Sequence, residues 1–167
     1  MKKTLIGAAI VAAICLTHSA NAQAATTNGT ATAKVLAPIA IVAGANLNFG
    51  TIAAGAAIGT VVITPAGARS FTGSVGLVTD GANAPTAGVF TVTGAAGYTF
   101  AITLPATATI TSGANNMTVN TFTSTPSGTG TLVAGTATLN VGGTLNVAAN
   151  QAAGNYTGTY PVTVNYN

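Results

Sequence analysis

Residues that could perform acid–base, nucleophilic or metal chemistry are scarce beyond the first stretch of the chain. The sequence holds one histidine and one cysteine, His18 and Cys15, and both lie near the N-terminus. Farther along, the charged side chains are Lys34, Arg69 and Asp80. General acid–base catalysis needs a group that titrates near the working pH, and metal sites need several ligands. We therefore expect a protein that is not an enzyme, uses no cofactor and binds no metal.

Two glycine-containing stretches resemble catalytic motifs only superficially. In TGSVG (72–76) a threonine stands where a nucleophile elbow requires glycine. GTGTLVAG (128–135) has neither the glycine spacing nor the lysine of a phosphate-binding loop. Both stretches are predicted to form turns. Asp80 is followed by glycine, a pair typical of tight turns, so it is interpreted as a turn residue as well.

The charge balance gives no indication of nucleic acid binding. The isoelectric point of about 9.4 and the net charge of +3 rest on very few groups. The clustered lysines and arginines that a nucleic-acid-binding surface needs do not occur. A soluble monomer usually carries many surface charges, which keep its copies apart. The low charge of this chain favours a protein that packs against neighbouring molecules or resides in a matrix.

Residues 1–22 have the pattern of a secretory signal peptide. Two lysines precede the apolar run LIGAAIVAAICL, and the sequence ANA that ends at Ala22 fits a small-x-small cleavage site. Cleavage is therefore expected between Ala22 and Gln23. We expect export through the periplasm to the cell surface. An exported chain without cysteine has to rely on sheet hydrogen bonds and packing instead of disulfides.

The chain that follows Gln23 has the residue pattern of an all-β protein, with turn-forming residues at regular intervals between predicted strands. Valine, isoleucine and threonine are frequent, and glycine, proline and asparagine recur every eight to twelve residues or so, as in sandwiches and barrels. The clearest strand is YTFAITLP (98–105), where large apolar residues alternate with smaller ones. The predicted strands cover 47–52, 58–64, 69–79, 88–94, 98–105, 107–111, 117–124, 136–142 and 155–166.

Both ends of the expected mature chain alternate with a period of two. Near the C-terminus, even-numbered positions carry the apolar residues of a half-buried strand, namely Tyr156, Tyr160, Val162, Val164 and Tyr166. Near the N-terminus, Ala31, Ala33 and Val35 share one face of a weakly alternating segment, and Lys34 lies on the other. Two interpretations of this segment remain open. It is either a frayed end before the first strand or a detachable strand for another molecule's sheet.

Three stretches together carry a resemblance to a known family. LNFGTI (47–52), YTFAITLP (98–105) and GGTLNVAANQAAGNYTGTYPVTVNY (142–166) resemble uncharacterised bacterial surface domains that are similar to the subunits of chaperone–usher pili. The resemblance covers roughly residues 31–166, and the C-terminal block is its most specific part. It implies an immunoglobulin-like β-sandwich that lacks its last strand and is completed by a strand donated from another molecule.

After the signal peptide at 1–22, the resemblance implies an N-terminal extension at 23–37 and a pilin-like domain at 38–167. Its implied function is that of a structural subunit of a surface pilus, or fimbria, which polymerises by donor-strand exchange. The implied partners are neighbouring copies, a periplasmic chaperone and an outer-membrane usher, with no nucleic acid and no metal. The alternative is a self-folding secreted or surface-attached β-sandwich with a role in adhesion or in a biofilm matrix.

The resemblance also implies roles for particular residues. The donor strand would lie within 25–37, with Ala31, Ala33 and Val35 entering a neighbour's groove. The acceptor groove would be bordered by 155–166, with the tyrosines and valines of its even-numbered positions facing inward. The chain departs from the family in two respects. The part that follows the expected cleavage site has no cysteine for the disulfide near the first strand, and alanines stand where larger donor side chains are common.

Overall fold

The computed structural model describes residues 23–167 of the chain. Within this range it contains ten β-strands and no helix, which confirms the prediction of an all-β fold. The chain divides into two units, one that ends at Lys34 and one that extends from Val35 to Asn167. The described part of the first unit, residues 23–34, has no strand, and all ten strands belong to the second. The predicted signal peptide, including Ala22, lies outside the described residues.

The strands form two antiparallel sheets. In chain order they are β1 (Ala40–Ala43), β2 (Ile52–Ile63), β3 (Arg69–Leu77), β4 (Gly88–Thr93), β5 (Thr99–Thr103), β6 (Thr107–Ser112), β7 (Asn115–Thr125), β8 (Thr129–Thr131), β9 (Thr136–Val147) and β10 (Thr163–Tyr166). The larger, 7-stranded sheet has the order β1-β4-β9-β2-β3, and β7 joins it to β6 through a further pairing with β9. The 3-stranded sheet has the order β10-β5-β8. This is the predicted β-sandwich.

Strand β9 is the centre of the larger sheet. Its first part pairs with β4, its second part pairs with β2, and β7 pairs along the opposite edge. Successive side chains of a strand point to opposite faces of the sheet. Along β9 the apolar side chains that are buried are Leu139, Val141, Leu145 and Val147. The polar side chains that alternate with them are Thr136, Thr138, Asn140, Thr144 and Asn146.

The buried side chains form two clusters. The first cluster contains Phe49, Val61, Ile63, Val75, Ala87, Met117, Val119, Leu145 and Val147. The second cluster contains Val92, Phe100, Leu132, Leu139, Val141 and Val164. Phe122 packs against both. Among the described residues, the smaller sheet contributes to the second cluster and not to the first.

The prediction of a strand at 47–52 is wrong over most of its length. Gly50 adopts a positive φ of 73°, which interrupts an extended conformation. The guanidinium of Arg69 donates hydrogen bonds to the carbonyls of Phe49 and Thr51 at 3.2 and 3.3 Å. These bonds from a side chain hold the bend, together with the backbone hydrogen bonds that Asn48 exchanges with Thr86.

Two strands were not predicted, and β2 is longer than its pattern indicated. β1 and β8 are short and lack a clear contrast between apolar and polar positions. β2 includes a small-residue stretch with a bulge between Ala54 and Gly59. Opposite the bulge, Gly73 has a φ of 73°, and a Cβ there would overlap the carbonyl oxygen of Ile58. Gly73 thus lies at a close approach of two backbones. The prediction of a turn at 72–76 is wrong, because these residues belong to β3.

The terminal strand is shorter than predicted. Strand β10 begins at Thr163, and the preceding residues make one isolated bridge, from Thr157 to Thr111. Pro161, which has no N–H to donate, lies between the two paired parts of the segment. The predicted alternation of burial nevertheless holds. The residues that are buried or half-buried are Tyr156, Tyr160, Val162, Val164 and Tyr166, and those between them are exposed.

Truncation of an inward-facing side chain of β9 should destabilise the sandwich strongly. Leu139 is fully buried in the second cluster, so Leu139→Ala is expected to lower the free energy of unfolding by about 2–5 kcal/mol. Thr138→Ala is the matched control, because Thr138 is exposed on the same strand, and it should change stability by less than about 0.5 kcal/mol. Equilibrium denaturation measures both. Similar losses for the two variants would contradict the assignment of faces along β9.

Candidate functional site

A groove of about 890 Å³ opens on the sandwich domain between two segments of the chain. One wall comes from residues 43–52 and the other from residues 154–160. We refer to it as the edge groove. The larger apolar side chains that line it between the walls are Phe90, Ile110, Met117, Val119, Phe122 and Leu145. Its volume is within the range of about 300–1,000 Å³ that is common for ligand-binding pockets.

The first wall continues β1 along the outer edge of β4. The backbone N–H of Gly44 donates to the carbonyl of Val89 at 2.8 Å, and Asn48 and Thr86 exchange two backbone hydrogen bonds of 2.8 and 2.9 Å. These bonds occupy one edge of the wall. The opposite edge of β1 has no strand partner within residues 23–167. The chain that leads into the wall is therefore paired along one edge only, whereas the carbonyls of Phe49 and Thr51 at the far end of the wall accept hydrogen bonds from Arg69.

The second wall is held against β6. Thr157 and Thr111 exchange two backbone hydrogen bonds of 2.8 and 3.0 Å. Gly158 approaches β6 so closely that a Cβ would overlap the carbonyl oxygen of Thr109. Beyond Pro161 the chain passes to the smaller sheet, where β10 pairs with β5. In the described part of the chain β10 has no second strand partner, so the C-terminal segment forms an edge of the sandwich.

Tyr160 closes one end of the edge groove. Its ring stacks on Phe122 with centroids 5.1 Å apart and meets Phe90 edge-on at 6.1 Å. Gly88 leaves room for the Tyr160 hydroxyl, which a Cβ at that position would overlap. Burial raises the pKa of Tyr160 from 10.0 to about 12, because the phenolate is poorly solvated there. This end of the groove is therefore aromatic and largely shielded from water.

The other end of the edge groove is polar. The Asp80 carboxylate accepts hydrogen bonds from the Thr51 hydroxyl and from the backbone N–H of Ala82, both at 3.0 Å. The side-chain amide of Asn48 donates to that of Asn83 at 2.8 Å. The turn predicted at Asp80 is confirmed by the hydrogen bond from the Asn83 N–H to the Asp80 carbonyl, at 3.1 Å. The two ends of the groove thus differ in chemistry.

Tyr166 ties the beginning of the sandwich domain to its last strand. Its hydroxyl accepts a hydrogen bond from the backbone N–H of Ala95 at 2.6 Å and donates one to the carbonyl of Ala37 at 2.9 Å. Its ring meets Tyr98 edge-on, with centroids 6.1 Å apart. Because Ala37 precedes β1, these bonds fix the point at which the chain enters the domain.

The structure separates the five residues predicted for the acceptor groove into two sets. Tyr156 and Tyr160 line the edge groove. Val162, Val164 and Tyr166 pack instead with the second cluster, closer to the smaller sheet. The Tyr156 hydroxyl donates to the carbonyl of Ala152 at 2.7 Å and so braces the loop before the second wall.

The predicted donor residues lie outside the strands. Ala31 and Ala33 belong to the segment 23–34, which has no strand, and their side chains are exposed. Val35 is 94% exposed. Gln23, the predicted first residue of the mature chain, is exposed as well.

Sequence reasoning missed the first wall of the groove as a binding feature. The stretch LNFGTI was identified as a strand and as part of the family resemblance, although its glycine was a signal of an interrupted strand. The apolar residues between the walls, except Leu145, were placed in predicted strands, but their common exposure to a groove depends on contacts between distant parts of the chain. Asp80 was interpreted as a turn residue, and its location at the groove could not be inferred from its neighbours in sequence.

In the described range, no group of three or more His, Cys, Asp or Glu side chains is positioned to hold a metal ion. The structure of residues 23–167 also contains no helix that is long and apolar enough to cross a membrane. What the groove offers is apolar surface flanked by backbone edges.

A family model described as "Domain of unknown function (DUF4402)" matches residues 39–166. The match includes all ten strands and both walls of the edge groove. Comparisons with curated proteins and with solved structures found no match.

Tyr160 should make the stability of the domain fall at high pH. Its pKa is about 12 in the folded protein and about 10.0 in the unfolded chain, so the unfolded chain loses this proton first as the pH rises. The stabilisation from the neutral phenol is complete below pH 10.0 and is lost as the pH approaches about 12. Tyr160→Phe should therefore lose less stability over this interval than the wild type. Denaturant unfolding at several pH values measures both slopes, and equal slopes would contradict the burial of the hydroxyl.

Proposed function

Because the chain belongs to the DUF4402 family of domains of unknown function, its role has to be inferred from its geometry, and we propose that it is a structural subunit of a bacterial surface pilus. Subunits would join by donor-strand exchange. In this reaction the N-terminal extension of one copy, residues 23–37, enters the edge groove of the next copy. The complex is held by non-covalent contacts alone.

The edge groove is the observation that carries this proposal. An added strand gains main-chain hydrogen bonds from a sheet edge and places alternate side chains in pockets. The groove has backbone edges at its walls and apolar side chains between them, including Phe90, Val119 and Phe122. Val119 belongs to the first cluster and Phe122 packs against it, and among the described residues this cluster receives no side chain from the smaller sheet. An inserted strand would supply the missing cover.

The N-terminal extension suits the groove in pattern and in length. Ala31, Ala33 and Val35 recur at every second position, as one face of a strand requires. At about 3.3 Å per residue, residues 25–36 span about 40 Å when extended, compared with about 33 Å that the wall at 43–52 would span at most, if it did not bend. The extension therefore reaches along the whole groove. Its small side chains match a groove that already has large aromatic residues at one end.

Assembly in this manner produces a filament. Each copy has one extension and one groove, and a head-to-tail contact that does not close on itself gives an open chain of subunits. Before assembly, an exposed groove with unpaired edges invites aggregation. A periplasmic chaperone would cover it, and an outer-membrane usher would pass subunits to the cell surface. This role involves no enzymatic activity, cofactor, metal or nucleic acid.

A second candidate function is that of a self-folding secreted or surface-attached β-sandwich with an adhesive or matrix role. One observation favours it. The family match begins at residue 39 and so covers the sandwich without the extension at 23–37. A domain that acts alone would not need the extension, and its groove would remain open or would accept another partner.

Deletion of residues 25–35 from the exported protein should abolish polymerisation. The wild type is expected to give a ladder in detergent gels that collapses to monomer only on strong heating. Ala31→Asp with Ala33→Asp should also remove the ladder, because it forces unpaired charges into an apolar groove. Thr30→Asp with Thr32→Asp is the matched control on the opposite face and should retain it. A ladder from the deleted chain would refute donor-strand exchange, and a wild type that stays monomeric would support the second candidate.

A further inference from the structure

The charged side chains are so few that their locations carry information. Asp80 is the acidic residue of the sequence, and it lies at the polar end of the edge groove. Lys34 is the cationic residue of the extension at 23–37. We propose that Lys34 of one copy pairs with Asp80 of the next and that this ion pair sets the direction and register of the inserted strand. The inference rests on the donor-strand exchange proposed above.

Asp80 is positioned by the fold and still has acceptor capacity. One carboxylate oxygen accepts from the Thr51 hydroxyl and the other from the Ala82 N–H. An ionised carboxylate offers about four acceptor positions, so about half remain for an incoming ammonium group. Asp80 is half-buried, and it is the charged residue among the described residues that line the groove. A cation in the inserted strand therefore meets one preferred position.

Arg69 positions the Asp80 site without occupying the groove. Its guanidinium donates hydrogen bonds to the carbonyls of Phe49, Thr51 and Val78, at 3.2, 3.3 and 3.3 Å. These bonds fix the bend that presents the Thr51 hydroxyl to Asp80. The guanidinium is thus bound to backbone carbonyls on both sides of the site, while the carboxylate is directed to the groove.

Because the two ends of the groove differ, the ion pair would determine the direction in which the donor strand lies in the groove. Ala43 pairs with Phe90, against which Tyr160 packs, so this end is aromatic. Thr51 and Asp80 mark the polar end. If Lys34 of the donor copy lies at the polar end, the donor residues before Lys34 lie along the groove toward its aromatic end. The donor residues after Lys34 leave the groove and lead back to the donor's own domain. The inserted strand then runs in the same direction as the wall at 43–52.

The length of the extension is compatible with this register. Ala43 and Thr51 lie at most about 26 Å apart at about 3.3 Å per residue, and closer than that because the wall bends at Gly50. The same length measured back from Lys34 reaches Thr26, which follows the expected cleavage site. Ala31 and Ala33 then face the first cluster. Lys34 points to the opposite face of the strand, which suits a cation at the rim of the groove.

The pair should contribute more to specificity than to affinity. Charge complementarity across an interface fixes orientation and register and disfavours wrong arrangements. Ion pairs with access to solvent are weak, so loss of this one should accelerate dissociation by about two- to fivefold. The effect should shrink as the salt concentration rises, since exposed charges are screened.

Zero-length cross-linking of filaments tests the contact directly. A water-soluble carbodiimide activates a carboxylate, and a lysine amine in contact displaces the activating group to form an amide, with a net loss of water taken up by the reagent. Filaments of the exported full-length protein should become resistant to boiling after treatment. Mass spectrometry should identify a peptide that joins Lys34 of one copy to Asp80 of another. Lys34→Gln and Asp80→Asn should each remove this cross-link.

Two further variants test register apart from charge. Thr32→Lys combined with Lys34→Thr keeps the charge and the face but moves the amine by about 6.6 Å, two residues along the strand. It should lose the cross-link and dissociate faster. Lys34→Gln, Asp80→Asn and their combination should accelerate dissociation to the same extent, since each removes the same pair.

The outcomes separate this inference from the function on which it rests. A wild type without a heat-resistant ladder would overturn both. A normal ladder in which Lys34 is cross-linked to the terminal carboxylate, or is not cross-linked at all, would overturn the ion pair and leave donor-strand exchange standing. A Lys34–Asp80 cross-link found only within monomers would also overturn the inference, because the contact would then lie within one copy.

Discussion

Strand β9 shares its backbone hydrogen bonds with three strands, and the layout of the larger sheet follows from that constraint. β4 and β2 occupy successive lengths of one edge, and β7 occupies the other. The alternation of β9 also decides which face of its neighbours is buried. Leu139 contributes to the second cluster and Leu145 to the first. Both clusters therefore depend on a single strand, and they meet again at Phe122.

The edge groove is a consequence of the unequal sizes of the two sheets. Its apolar residues come from four strands that follow one another across the larger sheet, namely β4 (Phe90), β9 (Leu145), β7 (Val119) and β6 (Ile110). The smaller sheet has three strands, and its side chains contribute to the second cluster. The first cluster is covered instead by irregular segments that carry Phe49 and Tyr156. The groove is the place at which that cover is thinnest.

Alternation of apolar and polar residues predicted the strands whose conformation depends mainly on their own sequence. Alternation along YTFAITLP was sufficient to identify a strand and its more buried face, and the first part of β9 was identified as a strand. The first wall of the groove was beyond prediction, since its bend depends on hydrogen bonds from Arg69, which is distant in sequence. At the C-terminus, the burial of side chains followed the predicted alternation, but the strand pairing did not follow the predicted continuous strand. Pro161 interrupts the pairing, and the partners of the two paired parts, Thr111 and β5, lie far away in the sequence.

The continuity of the first wall with the beginning of the domain has a mechanical consequence. The chain runs without interruption from Val35 through β1 into the wall at 43–52, and Tyr166 clamps it at Ala37. In a filament joined as proposed, tension would enter each subunit at Val35 and leave through the strand seated beside that wall. The force would then travel mainly along covalent backbone at one edge of the sandwich. Strand β9 and the clusters around it would lie off this path, so that a stretched filament would transmit load without unfolding its cores.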